Sequence, residues 1–401
     1  MSSPFTAATR TAATRTAARA LVLFAALLSA LPACTYAPRD PAPSMQTVTE
    51  VARFEDDQCT GVAVSRTGRL FVCFPTWHEG HRIHVAEVNT TTGDYWPYPS
   101  DDRNAWREGE PPAGPDGADR FICVQSVIVD DTDRLWVLDP ASPRLAGTLP
   151  GARPKLQQFD LATNTLVRTY TFDPAVAPSN SYLNDVRVDT RTGHAFLTDS
   201  GLGGLVVLDL NTGAARRVLA DHPSTMGEPD VVPQVGGRSL IFASGPLAGS
   251  PAVIHSDGIA LDTRRGWLYW QALTARTLYR IPTESLVRTD LTEQQLAFSV
   301  ENLGVTAVTD GMEIDERGNI YLSALEHDAV IVRTPKTDRK NVRLVTLVRS
   351  PLIAWPDSFA FGPDGSVYFT TSQIHRTSWF APDGSMPQAP YRVFRTAPLR
   401  R

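Results

Sequence analysis

The sequence predicts an all-β fold, a six-bladed β-propeller, from two observations. A motif that begins with polar residues and continues as two short strands joined by a tight turn recurs six times. Its clearest copy pairs residues 256–262 with 268–270. The copies are 47 to 73 residues apart, which suits about four short strands with their loops, the size of a propeller blade. Because a blade needs a neighbour on both faces, six such units should close into one ring.

The predicted strands follow the same order in each unit. First strands, which alternate or run apolar, are predicted at 59–64, 124–129, 183–188, 256–262, 309–315 and 356–361. Second strands follow turns rich in Asp, Thr, Arg and Gly, and are predicted at 70–72, 135–137, 195–197, 268–270, 320–322 and 367–369. Residues 47–54 also alternate, and we expect them to complete the last blade beside 391–394 and so close the ring.

The first 34 residues predict an export signal rather than part of the fold. A basic leader precedes the short apolar run 21–28, and the segment 1–34 ends in a lipobox-like sequence at Cys34. Residues 35–46 form a Pro-rich tether, and 47–401 form the propeller. We expect an exported protein, either lipid-anchored through Cys34 in the cell envelope or released by simple cleavage.

Composition narrows the classes of partner. A net charge of −5 and a pI near 5.9 argue against nucleic acid and anionic membrane surfaces, so membrane contact is expected only through the anchor. A small-molecule ligand and a monomeric state are the remaining expectations. Three further cysteines leave two candidate disulfides open, Cys59–Cys73 and Cys59–Cys123, beside the alternative of three buried thiols.

The residues that open the six copies are predicted to form a rim around one mouth of the central channel. They are Thr60, Gln125, Asn184, Asp257, Asp310 and Asp357. Converging oxygen ligands suit Ca²⁺, so one hypothesis is a calcium site at Asn184, Asp257, Asp310 and Asp357. The alternative is that each Asp caps the local backbone while water fills the channel.

Other side chains near the rim are candidates for catalysis or ligand contact. Asp257, Asp310 and His255 are the candidate acid–base groups, and Thr60, Gln125, Trp270 and Ser372 are candidate ligand contacts. Residues at the ends of second strands could wall a pocket: Trp77, Ser200, Trp270, Trp355 and Ser372. The chain carries no nucleophile elbow, zinc-protease motif or dinucleotide fingerprint, which argues against those chemistries.

His78, His81 and His84 follow one another at intervals of three. On an extended strand that interval places neighbours on opposite faces, so the three rings cannot share one ion without a bend. We therefore expect these histidines at the surface.

Along nearly the whole mature chain, about residues 50–380, the sequence resembles the insect yellow proteins and major royal jelly proteins with their bacterial relatives. The matching stretches lie at 69–77, 97–100, 124–127, 134–139, 155–161, 197–201, 256–261, 268–270 and 279–283. This resemblance implies a six-bladed propeller with a ligand pocket at one mouth, in a family whose members include secreted binders of biogenic amines and proteins linked to dopachrome conversion. A looser resemblance runs to calcium-dependent gluconolactonase-type hydrolases, whose metal-binding Asn and Asp match Asn184, Asp257 and Asp310.

Three functional hypotheses follow. The first is a small-ligand-binding propeller without turnover. The second is a metal-dependent lactonase or esterase, in which the ion polarises a carbonyl while an Asp or His255 activates water. A dopachrome-type tautomerase is the third.

Overall fold

A computed structural model describes residues 47–335, 342–381 and 389–399. The predicted signal peptide, Cys34 and the tether lie outside the described residues. No helix within the described ranges is long and apolar enough to cross a bilayer.

Six four-stranded antiparallel sheets form the six blades, as predicted. The strand β1 (Val48–Phe54) precedes blade 1, which contains β2 (Val62–Val64), β3 (Leu70–Cys73), β4 (Val85–Val88) and β5 (Tyr95–Pro97). Blade 2 contains β6 (Ser126–Val129), β7 (Arg134–Asp139), β8 (Lys155–Asp160) and β9 (Thr165–Thr171). Blade 3 contains β10 (Leu183–Asp189), β11 (His194–Asp199), β12 (Leu205–Asp209) and β13 (Ala215–Val218).

The second half of the ring is built in the same way, with additions. A small hairpin, β14 (Gln234–Val235) and β15 (Arg238–Ser239), precedes blade 4. Blade 4 contains β16 (Ser256–Asp262), β17 (Trp267–Ala272), β18 (Thr277–Pro282) and, after helices α1 (Thr283–Val287) and α2 (Glu293–Phe298), β19 (Glu301–Val305). Blade 5 contains β20 (Met312–Ile314), β21 (Ile320–Ala324), β22 (Ala329–Arg333) and β23 (Leu344–Arg349). Blade 6 contains β24 (Pro356–Phe361), β25 (Val367–Thr371) and β26 (Tyr391–Thr396).

Strand β1 closes the ring by completing blade 6. It runs antiparallel to β26, from Val48 opposite Thr396 to Phe54 opposite Tyr391. The expected closure is confirmed, since the first and last strands of the described chain share one sheet.

Glycines next to the rim positions allow adjacent inner strands to approach closely. A Cβ atom on Gly258 would collide with the carbonyl oxygen of Asp310, and one on Gly311 would collide with the carbonyl oxygen of Asp357. Only a residue without a side chain permits this approach. The recurring Asp-Gly therefore holds successive rim residues against one another.

Two long connections cover one mouth of the channel. The connection from blade 3 to blade 4 contains the β14–β15 hairpin, and the loop between β25 and β26 contacts it where the Ala243 amide donates to the Trp379 carbonyl at 2.6 Å. Beneath them lies an apolar cluster that includes Val235, Leu273 and Trp355. The long interval of 73 residues between Asn184 and Asp257 is thus explained by a cover over the mouth.

Cys59, Cys73 and Cys123 are all buried free thiols. Of the alternatives that the sequence left open, the structure has three unpaired, buried cysteines.

Candidate ligand site at the channel mouth

Four of the six rim residues line a cavity of about 780 Å³ at the covered mouth: Gln125, Asn184, Asp257 and Asp310. The other two are buried but do not line it. The Thr60 hydroxyl donates to the Gln125 carbonyl at 2.9 Å, and the Asp357 carboxylate accepts a bond from the Ser358 hydroxyl at 3.1 Å. Blades 2 to 5 therefore supply the polar base of the cavity.

Asp257 and Asp310 form a hydrogen-bonded acid pair at that base. Burial raises the pKa of Asp257 well above its usual range, and the charge of Asp310 raises it further. Burial also raises the pKa of Asp310, to about 6, although hydrogen bonds from Asp257 and Trp355 oppose the rise. At pH 7 Asp310, the member with a pKa of about 6, is therefore ionised beside Asp257.

Trp355 fixes the orientation of the charged member. Its indole Nε1 donates to Asp310 Oδ2 at 2.6 Å, and its backbone adopts a left-handed φ of 57°. A bulky residue in that region costs on the order of 1–3 kcal/mol, which the surrounding packing must over-determine. The strained backbone is thus that of Trp355, the residue whose indole donates to the Asp310 carboxylate.

Asp185 adds to the negative electrostatic potential at the mouth, and the repeated pattern of the sequence does not predict it. It is buried, burial raises its pKa, and its charge raises the pKa of Asp257, Asp310 and Asp357. A register shift between Leu183 and Val186 interrupts the simple alternation of β10. Neighbouring residues Asn184 and Asp185 can therefore both contribute to the channel.

A hydrogen-bond chain orders the neutral side of the cavity. Trp77 Nε1 donates to the Tyr182 hydroxyl at 3.3 Å, and that hydroxyl donates to Gln125 Oε1 at 2.8 Å. Tyr182 was not predicted, because no repeated position marks it. These two hydrogen bonds orient the side-chain amide of Gln125 through the phenol of Tyr182 and the indole of Trp77.

The upper walls are aromatic and come mainly from the two covering loops. Trp77 meets Trp379 edge to face at a ring separation of 5.3 Å, and Phe242 stacks on Phe380 at 5.6 Å. All four line the cavity, together with Trp355. Loop aromatics without periodicity carry no sequence signal, so Phe242, Trp379 and Phe380 were missed.

The remaining predicted residues are dispersed. Ser200 lines the cavity. Trp270 lies in the apolar core between blades 3 and 4, where its Nε1 donates to the Ser224 carbonyl at 2.8 Å. Ser372 is buried behind Trp355, whose carbonyl accepts from its hydroxyl at 3.4 Å.

His255 also lies outside the cavity lining. Its Nδ1 accepts a hydrogen bond from the Gly227 amide at 3.1 Å, and burial lowers its pKa. The structure thus does not bring the imidazole onto the Asp257–Asp310 pair, and His255 serves the covering connection instead.

The surface expectation for the blade 1 histidines is wrong for two of the three. His81 is 5% exposed and His84 is fully buried, while His78 remains partly exposed. The cause is a turn after β3 in which Gly80 has a φ of 79°, so the segment is not extended.

Comparison with known proteins yields one family. The model of the major royal jelly protein family matches residues 122–376, more than half of the chain. Protein yellow of Drosophila pseudoobscura pseudoobscura is 32% identical over 127 residues, covering 30% of this chain and 21% of that protein. Protein yellow of Drosophila melanogaster is 30% identical over 127 residues, covering 30% and 22%. The matched stretch thus spans about a fifth of these relatives' length.

Solved structures reproduce the architecture at low sequence identity. A luciferin-regenerating enzyme superposes with a TM-score of 0.51 at 15% identity, covering 88% of this chain and 96% of its own. A gluconolactonase from Xanthomonas campestris superposes with a TM-score of 0.50 at 11% identity, covering 87% and 88%. At such identities the likeness concerns the fold alone.

Proposed function

Because the chain belongs to the major royal jelly protein family, we propose that it is a binding propeller that holds a small organic cation with an apolar body in the cavity at the channel mouth. One observation carries the proposal: a pair of buried carboxyl groups, of which Asp310 is ionised at pH 7, lies at the base of an aromatic-walled cavity. The cavity volume of about 780 Å³ falls within the range of small-molecule sites.

The charge distribution selects a cation. Asp310 is 5% exposed and ionised at pH 7, and the neutral indole of Trp355 donates a hydrogen bond to it. An ammonium group beside it would gain a charge-assisted hydrogen bond in a partly desolvated setting. The amide oxygens of Gln125 and Asn184 are further acceptors for the remaining N–H groups.

The walls select an apolar or aromatic body for the ligand. Indole and phenyl faces attract cations and pack against rings, each contribution being worth about 0.5–2 kcal/mol. Trp77, Trp355 and Trp379 supply such faces above the acid pair. Arylalkylamines combine the ammonium group with the aromatic body that this site suits.

The test is calorimetric titration with tyramine and with 4-ethylphenol, which lacks the ammonium group. We expect the amine to bind and the phenol to bind far more weakly. Asp310→Asn should weaken amine binding at least about 30-fold, since it removes one partner of a buried charge pair, whereas the exposed Asp230→Asn should have no effect. Equal affinities for tyramine and 4-ethylphenol would contradict the proposal.

The proposal includes export, supported by the segment 1–34 with its apolar run and Cys34. Fractionation of cells expressing the full chain tests it. Parent protein should sediment with membranes, and Cys34→Ala should be released or retained unprocessed. Cytoplasmic recovery of full-length parent would contradict export.

A calcium-dependent lactonase is the second candidate, and one observation favours it. Asp357 Oδ2 is buried without a hydrogen-bond partner among the described residues, and the carboxylates of Asp310 and Asp185 are close enough to raise the pKa of Asp357. These oxygens suit Ca²⁺, which would polarise a lactone carbonyl. Melting scans in Ca²⁺ and in chelator, with a lactone hydrolysis assay, decide between the candidates, because a pure amine binder should show neither a calcium shift nor hydrolysis.

A further inference from the structure

We propose that Asp57, His78 and His81 form a binding site for a first-row divalent transition-metal ion, with Zn²⁺ as the reference ion. One ligand atom from each residue lies within 4.8 Å of the other two. Asp57 Oδ1 is 3.2 Å from His81 Nδ1 and 3.6 Å from His78 Nε2. This site uses none of the residues at the channel mouth.

All three ligand atoms are buried and lack a hydrogen bond. The contacts of 3.2 and 3.6 Å to Asp57 Oδ1 thus bring polar atoms close together without a hydrogen bond between them. Asp57 and His81 are 4% and 5% exposed, so water is largely excluded from these atoms. Leaving one buried polar atom unpaired costs about 1–3 kcal/mol, and here three such atoms face one another.

The tautomers of the rings explain why no proton fills the gap. His78 Nδ1 is 2.8 Å from the Glu79 carbonyl, which can only accept, so Nδ1 carries the proton and Nε2 presents a lone pair.

His84 sets the tautomer of His81 in the same way. His84 Nε2 faces the Trp106 carbonyl at 3.4 Å and donates to it, which leaves its Nδ1 to accept from His81 Nε2 at 3.2 Å. His81 Nδ1 is then the free lone pair aimed at Asp57. Metal-binding imidazoles are oriented by this kind of outer hydrogen bond on the second ring nitrogen.

The two separations from Asp57 match a tetrahedral ion with nitrogen and oxygen ligands. Metal–ligand bonds of about 2.0–2.1 Å at tetrahedral angles place the ligand atoms about 3.3 Å apart, close to the observed 3.2 and 3.6 Å. Two imidazoles favour Zn²⁺, Co²⁺ or Ni²⁺ over Ca²⁺ and Mg²⁺, which prefer oxygen ligands.

The local fold brings the ligands together and leaves an approach. The turn at Gly80 places His78 and His81 on one side of the loop between β3 and β4, and Asp57 lies three residues after the end of the closing strand β1. A separate cavity of about 450 Å³ borders His78 and His81 and is lined further by Trp106, Arg107 and Arg144. Three protein ligands leave a coordination position open toward it.

The experiment titrates Zn²⁺ into untagged, chelator-stripped full-length protein against a chromophoric chelator, and repeats the titration with Co²⁺ for its visible spectrum. We expect one equivalent to bind, with the intense absorption of tetrahedral cobalt and a rise in Tm. His78→Ala and Asp57→Asn should each weaken Zn²⁺ binding at least about 100-fold, since outer-shell changes alone cost 10–100-fold. His78 lies at a partly exposed turn, so its variant should keep the parent circular dichroism.

Two matched controls complete the design. His327→Ala removes an exposed histidine elsewhere and should leave Zn²⁺ affinity unchanged. Asp257→Asn alters the channel mouth and should also leave it unchanged. Absence of stoichiometric binding by the parent, unchanged affinity in His78→Ala, or loss of binding in Asp257→Asn alone would each overturn the proposal.

Discussion

The channel mouth and the Asp57–His78–His81 cluster both bury several polar atoms at close range, and they resolve the crowding differently. At the mouth, Asp257 bonds to Asp310, and Trp355 donates to the charged oxygen. In the cluster, the outer hydrogen bonds consume the ring protons, and three acceptor atoms remain facing one another. The two sites differ in their hydrogen-bond donors. Where donors are present, as at the mouth, the acidic groups are paired by hydrogen bonds, and where only acceptors face one another, as in the cluster, a metal ion can bind between them.

The two regions also differ in the chemistry of what they can bind. The mouth combines the ionised carboxylate of Asp310 with aromatic walls, which suits an organic cation. The cluster combines two imidazole nitrogens with one carboxylate, which suits a transition metal. The following experiments test this division of roles.

The largest expected effect is that a variant of each site loses the ligand of that site and keeps the ligand of the other. Asp310→Asn should weaken tyramine binding at least about 30-fold and leave Zn²⁺ binding intact, and His78→Ala should do the reverse. The two sites share no residue, so the double variant should show both losses at their single-variant size. Calorimetry with each ligand on all four proteins measures this, and a coupling between the sites would contradict it.

The second effect concerns stability. Asp310 has a raised pKa in the folded protein, so its stabilising contribution is present below the unfolded pKa near 4 and is lost as pH rises through about 6. Asp310→Asn replaces the carboxyl with a group that does not ionise, so the variant does not lose this contribution as pH rises. At pH 7.5 its free energy of unfolding should exceed that of the parent by on the order of 2–3 kcal/mol. Urea denaturation at pH 4.5 and 7.5 checks this: the difference between variant and parent should shrink at the lower pH.

The third effect is the pH dependence of amine binding. Below about pH 6 Asp310 becomes protonated and loses the charge that attracts the ammonium group. Tyramine affinity should therefore fall as pH decreases, by up to about tenfold per unit below that point. The dissociation constant measured from pH 5 to 8 reports this, and a flat profile would exclude Asp310 as the counter-ion.

The smallest effect belongs to the indole that orients the acid pair. Trp355→Phe removes the donor to Asp310 Oδ2, so the pKa of Asp310 should rise further and the midpoint of the binding profile should move to higher pH. At pH 7 we expect a loss of a few-fold, about 1 kcal/mol for one hydrogen bond. Trp379→Phe, which also trims a wall indole, should leave the midpoint unchanged.

Sequence repetition determined the ring and the rim. Six copies of one strand–turn–strand motif predicted six blades, and the alternation in residues 47–54 predicted the closing strand. The rim could be predicted because the same position in each repeated blade faces the same mouth of the channel. Four of the six rim residues line the cavity. Such features are encoded locally, in strand periodicity and turn chemistry.

Only the tertiary structure decided which groups meet. Trp270 lies in a blade core and His255 in a loop, although both are near the rim in sequence, whereas Tyr182 and Trp379 line the cavity without a repeated signal. At one glycine with a positive φ the chain turns, so that His81 makes a buried contact with Asp57 and does not lie at the expected surface. Contacts between loops and at register shifts depend on distant packing, which no local pattern of residues records.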